Sequence, residues 1–287
     1  MERYQIIPQQ PRGATYKVLD QQAGSYFVID PDRGGLVTDF YAGRPIFYMD
    51  ESTYTVPSRY VRGGNPVLFP SVGKLTDDCF YLYGKPHTIP IHGLVRNAAW
   101  QIADRQTQEC ARLDVFLENT QAMLAQYPFP FSLRFSYCLN GSSLTIHQAY
   151  KNTGERPMPA AFGFHPYFLL SNKQTARLEI SASQYLDMQT GLTCPYSGEI
   201  RLNQPEELGW LFLNVTAPQA ILHDDAGSVK IAFQAPFRHL LVWTLPNAPF
   251  VCIEPWTAKP DALNTKEDLV CIAPGESLQT EVSYTAF

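Results

Sequence analysis

SLRFSYCLNGSSLTIHQAY, residues 132–150, is the stretch that decides the fold. Leu133, Phe135, Tyr137 and Leu139 alternate with Arg134, Ser136 and Cys138. In an extended chain successive side chains point to opposite faces, so the four large apolar groups share one face. Asn140-Gly141 follows, a pair that tolerates the left-handed backbone of a tight hairpin turn. The chain then returns through SLTIHQAY. This period of two, closed by an Asn-Gly turn, predicts an antiparallel hairpin with one buried face.

The same pattern recurs on either side. TYKVLD and SYFVID are separated by Gln21-Gln22-Ala23-Gly24 and read as a second hairpin. ARLDVFLEN, ARLEIS, VKIAF, LLVWTL, FVCIE and LQTEVSYTA are further strand candidates. One short helix is expected around Asn119–Gln126, stopped by Tyr127-Pro128. The Pro- and Gly-rich stretch from Pro57 to Pro70 is too apolar for a linker and reads as structured loops. No repeat, low-complexity tract or charged linker divides the 287 residues. The expected fold is therefore all-β, a large sandwich in a single domain over residues 1–287.

Composition narrows the function. The chain is 45% hydrophobic and 17% charged, which is globular rather than disordered. Acids outnumber bases 27 to 22, so no nucleic-acid or anionic-membrane partner is expected. No run reaches the length of a membrane span, and MERYQIIPQQPRG lacks the apolar core of a secretory signal. The default compartment is the cytoplasm. Cys79, Cys110, Cys138, Cys194, Cys252 and Cys271 are scattered without a CxxC, and they read as small buried hydrophobes with reduced thiols. Dinucleotide, P-loop, zincin and nucleophile-elbow motifs are missing. His87 and His92 lie five apart in a Pro-rich loop, a weak metal signal, and no metal or cofactor is expected.

Three regions carry polar groups in unusual settings. In YVRGGNPVLFPSVGKL, residues 60–75, Arg62 precedes two glycines, which let backbone approach a ligand closely. In IPIHGLVRNAAW, residues 89–100, His92 sits between Ile91 and Gly93, with Arg96 four residues on. The third region is split between AAFGFHPYF and FVCIEPWTAKPDALN, where His165 and Glu254 are each flanked by rings and proline. Taken singly, each reads equally as a turn arginine, a loop histidine, a satisfied core histidine or a strand-end carboxylate.

Taken together, RGGNPVLFP, IPIHGLVRNAAW, GFHPYF and EPWTAKPDALN resemble, in order, the motifs of the aldose 1-epimerase (galactose mutarotase) family. The branch is the one with an "HGF-x-R" loop, which also holds the hexose-6-phosphate epimerases. The resemblance runs from the first strands to Pro274-Gly275-Glu276. It implies a β-supersandwich that interconverts α and β anomers without a cofactor. It assigns His165 as general acid, Glu254 as general base, His92 as a substrate-orienting group, and Arg62, Lys74 and Arg96 as substrate-binding groups. Trp256, Tyr167 and Phe168 would offer apolar walls to a sugar. Lys74 stands where relatives often carry Arg, and Leu94 where the loop usually has Phe. The third acidic residue of the family falls on Gly209, in LGWLFLNV, leaving Glu206, Glu207 or Asp225 as substitutes.

Such chemistry suits these residue types. Ring opening takes a proton from the O1 hydroxyl and gives one to the ring oxygen. Carboxylate and imidazole, with ordinary pKa values of about 4.3 and 6.5, are a natural pair near neutrality. A carboxylate nearby is expected to favour the charged form of His165. Activity should then rise as Glu254 ionises and fall as His165 loses its proton. The substrate is a sugar, read as a free aldohexose. The alternatives are a hexose 6-phosphate, held by Arg62, Lys74 and Arg96, and a non-catalytic carbohydrate-binding sandwich. Oligomeric state is left open.

Overall fold

The computed structural model describes residues 2–9, 15–56 and 60–287. Strands Phe131–Asn140 and Ser143–Asn152 form the expected hairpin, with Asn140 opposite Ser143 and Gly141 in the left-handed region at φ 60°. Leu133, Phe135, Tyr137 and Leu139 are all buried, as are Leu144, Ile146 and Tyr150 on the returning strand. Each buried aromatic or aliphatic group of this kind stabilises the fold by roughly 1.5–3 kcal/mol.

This hairpin is the middle of a nine-stranded antiparallel sheet. Its order is Glu199–Arg201, Arg177–Ile180, Gln219–Asp224, Gly227–Phe233, Ser277–Ala286, Ser143–Asn152, Phe131–Asn140, Ala111–Glu118 and Gln101–Gln106. A second large sheet carries Thr193–Pro195, Gln184–Asp187, Leu208–Phe212, His239–Thr244, Phe250–Trp256, Gly163–Phe164 and Val67–Leu68, with Tyr167–Leu169 also paired to Phe250–Trp256. The two sheets meet through rings. Tyr150 stacks on Phe162 at 3.9 Å between centroids, Phe135 lies 6.1 Å from Phe164, and Phe168 lies 5.9 Å from Tyr284. The fold is therefore an all-β sandwich, as the alternation predicts.

Tyr4–Gln9, Thr15–Asp20, Ser25–Asp30 and Leu36–Ala42 make a four-stranded sheet packed on the other end of the hairpin, where Phe27 meets Tyr137. The turn after Asp20 closes as expected, with Asp20 opposite Ser25. The expected helix is Gln121–Gln126, capped by the Thr120 side chain and ended at Tyr127. Two more single-turn helices, Glu51–Tyr54 and Ala262–Thr265, carry no long apolar period and were not expected. The loops from Pro57 onward are structured from Tyr60 to Pro70, while residues 57–59 fall outside the described residues. Among the described residues no helix is long and apolar enough to cross a membrane.

The cysteine reading needs correction. Cys110 and Cys138 are joined as a disulfide across a separation of 28 residues, with Cα atoms 6.1 Å apart. The antiparallel pairing of Ala111–Glu118 with Phe131–Asn140 brings them together by opposing Cys138 to Arg112, close to Cys110. Of the four free cysteines only Cys252 is buried, and Cys271 is exposed.

Candidate functional site

A cleft of about 500 Å³ opens over one face of the second sheet. Strand Phe250–Trp256 supplies its floor. Its alternate residues Cys252, Glu254 and Trp256 share a face, and Glu254 and Trp256 line the cleft. Leu241 and Trp243 on the neighbouring strand continue the same face, Leu241 opposite Glu254 and Trp243 opposite Cys252. His165 comes from the short loop between Gly163–Phe164 and Tyr167–Leu169, pinned by its backbone N–H donating to the Pro66 carbonyl at 3.0 Å.

Two glycine-bearing loops bring the remaining groups to the mouth and wall. Gly64, after Arg62, has φ 63°, and a Cβ there would lie 2.2 Å from the Val37 carbonyl oxygen. Gly93, after His92, has φ 90°, and a Cβ there would lie 2.0 Å from the Phe69 oxygen. Only glycine meets both demands, a left-handed backbone and contact with another chain segment. The structure thus gathers His165, Glu254, Arg62, Lys74, His92 and Arg96 at one cleft from segments up to 192 residues apart.

At the bottom, His165 Nε2 lies 3.4 Å from Glu254 Oε1. The Trp256 indole N–H is the side-chain donor that bears on Glu254, and it lies outside good hydrogen-bond geometry, as does every neighbour of His165 Nδ1. Burial raises the Glu254 pKa well above the usual carboxylate value, although the Arg96 charge opposes it. Burial, joined by His92 and Arg96, pulls His165 well below an ordinary histidine. The expectation that a nearby carboxylate keeps His165 charged is therefore corrected, because desolvation outweighs the attraction. Both groups favour their neutral forms.

His92 is buried. Its Nδ1 accepts the Gly73 N–H at 3.2 Å, and burial, reinforced by Arg96, pulls its pKa down to about 3. A neutral ring whose Nδ1 accepts carries its proton on Nε2, so His92 is a neutral donor. Its ring meets the rings of His165 at 5.2 Å and Trp256 at 6.1 Å. Arg96 is half-buried, donates to the Val61 carbonyl at 2.8 Å, and lies over the Tyr60 ring. It lines the cleft and acts on Glu254 through charge. Arg62 is exposed at the cleft, and Lys74 is exposed there and paired with Asp78 at 3.7 Å.

Tyr167 and Trp256 form walls as expected, with Tyr167 stacked on His165 at 4.8 Å. Phe168 does not. It follows Tyr167 in a strand, points to the opposite face and is fully buried against Phe47 and Tyr284. Trp243 is a wall that the sequence reading missed, although its alternation with Leu241 in LLVWTL carries the signal. Of the three substitute acids, only Glu207 reaches the cleft. Asp225 is bound to Asn172 and Thr175 instead, both at 2.7 Å. His87 stacks on Phe80 and, among the described residues, has no cluster of metal ligands around it. Among the described residues, one trio of metal-ligand types converges, His165, Cys252 and Glu254, with ligand atoms within 4.8 Å of one another.

The described residues thus form a β-sandwich with a His–Glu pair at the floor of a cleft walled by aromatic rings. The sequence profile of the family described as aldose 1-epimerase matches residues 28–285, and the chain belongs to that family. The Slr1438 protein from Synechocystis sp. PCC 6803 superposes with a TM-score of 0.93 at 37% identity over 99% of both chains. A galactose mutarotase-like protein from Clostridium acetobutylicum shares the fold, with a TM-score of 0.85 at 20% identity over 100% of this chain and 99% of the other. A Cenchrus ciliaris protein provisionally named a glucose-6-phosphate 1-epimerase is 27% identical over 54% of this chain and 47% of its own length, so the match spans about half of that relative.

Proposed function

We propose that the chain, as a single domain over residues 1–287, is an aldose 1-epimerase that interconverts the anomers of an aldohexose by general acid–base ring opening. The observation that carries this reading is the buried His165–Glu254 pair, 3.4 Å apart at the floor of the cleft. Glu254 takes the O1 hydroxyl proton while His165 delivers a proton to the ring oxygen. The C–O bond opens to the aldehyde, the C1–C2 bond rotates, and closure returns both protons. In the open-chain state Glu254 is protonated and His165 neutral. Those are the forms that burial favours, so ring opening starts from the less favoured form of the pair, with Glu254 ionised and His165 protonated, and ends in the favoured one. His92 Nε2–H offers a neutral hydrogen bond to oxygen as charge develops. Trp256, Tyr167 and Trp243 present flat faces to the sugar ring. No electrons are transferred and no group leaves, so the side chains supply the chemistry.

A second reading, the same reaction on a hexose 6-phosphate, is favoured by the exposed Arg62 and Lys74 beside the cleft. Polarimetry on freshly dissolved α-glucose, α-galactose and glucose 6-phosphate separates the two. Glu254→Gln and His165→Asn should each lower kcat by about 10²–10⁴ while sugar still binds. Near-normal rates in either variant would remove the assignment. Arg62→Ala should weaken turnover of glucose far less than that of its phosphate if the second reading holds.

A further inference from the structure

Gly209 leaves the cleft wall bare. It begins the run that faces the site from strand Leu208–Phe212, opposite Trp243. Two residues earlier on the same face stands Glu207, just ahead of the strand. Its Oε1 accepts the Trp243 indole N–H at 2.7 Å, which ties the carboxylate to the aromatic wall. Its backbone carbonyl accepts Gln189 Nε2 at 2.9 Å, and Gln189 lines the same cleft. An indole has one N–H, so this bond occupies one lone pair on one oxygen. The other oxygen remains an acceptor beside a flat ring. Sugar hydroxyls are donors displayed around the edge of an apolar ring, and a ring packed on Trp243 would present them to that carboxylate.

We propose that Glu207, positioned by Trp243, is the specificity-determining carboxylate that accepts hydrogen bonds from ring hydroxyls of the aldose. This assignment rests on the epimerase reading of the cleft. Glu207 touches the non-reacting part of the sugar, whereas His165 and Glu254 serve C1 and the ring oxygen. It binds ground state and transition state alike, so its removal appears in KM rather than in kcat.

Position 209 provides an internal control. A Cβ at Gly209 would meet Met188 Cβ at 3.7 Å and Trp243 Cδ1 at 4.0 Å, both ordinary contacts, so a side chain fits there. Gly209→Asp therefore offers a carboxylate from the same wall.

The test is mutarotation kinetics with α-glucose, α-galactose, glucose 6-phosphate and the 2-deoxy and 3-deoxy glucoses. The proteins compared are the wild type, Glu207→Gln, Glu207→Ala and Glu207→Ala/Gly209→Asp, with thermal melts to confirm folding. Glu207→Ala should raise KM for the preferred sugar about tenfold or more and change kcat less than about threefold. For the deoxy sugar lacking the recognised hydroxyl, the same variant should change KM less than about twofold. Gly209→Asp should recover part of the loss. An unchanged KM in both single variants, or a loss in kcat alone, would overturn the inference while leaving the epimerase reading intact. If the wild type turns over no sugar, that reading fails first. Calorimetric binding of the same sugars then decides whether Glu207 recognises them, and binding equal in wild type and Glu207→Ala, or absent in both, ends the proposal.

Discussion

Glu254 is fully buried and neither oxygen has a well-formed hydrogen bond, a costly state for a carboxylate unless it holds a proton. Its pKa is raised and that of His165 is lowered, both chiefly by burial. Both shifts favour placing the pair's shared proton on Glu254 rather than on His165. On lowering the pH, a second proton must go to His165, and this limb lies well below the ordinary histidine value. On raising the pH, the last proton leaves Glu254, and this limb lies well above the ordinary carboxylate value. The profile of kcat/KM against pH should be a bell whose limbs are reversed from the simple expectation, in which Glu254 titrates on the acid side. The macroscopic values belong to the pair, so the variants must assign them. Glu254→Gln should leave a weak residual rate with no alkaline limb. Retention of that limb would show that another group controls it.

At the scale of elements, the site depends on where strands end and loops turn. The His92 loop is held by Gly93, whose φ of 90° and 2.0 Å Cβ approach to Phe69 leave no room for a side chain. Gly93→Ala should displace His92 from Gly73 and lower activity at least tenfold, with a fall in stability of about 1–3 kcal/mol. Activity and melting temperature unchanged from wild type would show that the loop adapts freely. Strand pairing also sets the thiol count. With six cysteines and one disulfide, four thiols should react in the unfolded, unreduced protein and six after reduction. Six before reduction would mean that Cys110 and Cys138 remain separate.

For the molecule as a whole, Asp20 fastens the four-stranded sheet to the central hairpin. Its carboxylate accepts from Arg3 Nη2 at 2.8 Å and from the Gly141 N–H, in the hairpin turn, at 2.9 Å. Burial alone would raise its pKa, but the Arg3 bond and the Gly141 and Ala23 N–H groups outweigh it and hold the value at about 2. A depressed folded-state pKa contributes stability that is complete above the unfolded value of about 3.8 and is lost as pH falls toward 2. The shift corresponds to about 2 kcal/mol. Asp20→Asn should lose about that much at pH 7 in urea unfolding, with the gap to wild type closing below pH 3. Equal midpoints at pH 7 would show that the fastening contributes nothing.

The sequence by itself determined the sandwich, because side-chain period and turn chemistry are local. Phe135 and Tyr137 alternate and Asn140-Gly141 turns, whatever the rest of the chain does. It also determined the motif residues His92, His165 and Glu254, through neighbours that resemble a family's. Tertiary structure decided what those residues face. Arg96 became a half-buried charge partner, Phe168 turned into the core beside a cleft-facing Tyr167, and Trp243 joined the wall. Cys110 and Cys138 met across a strand register, and Glu207 rather than Asp225 reached the cleft. These are outcomes of sheet pairing over tens to hundreds of residues. Burial and distance follow from that pairing, and they set the direction in which the pKa values of His92, His165 and Glu254 move.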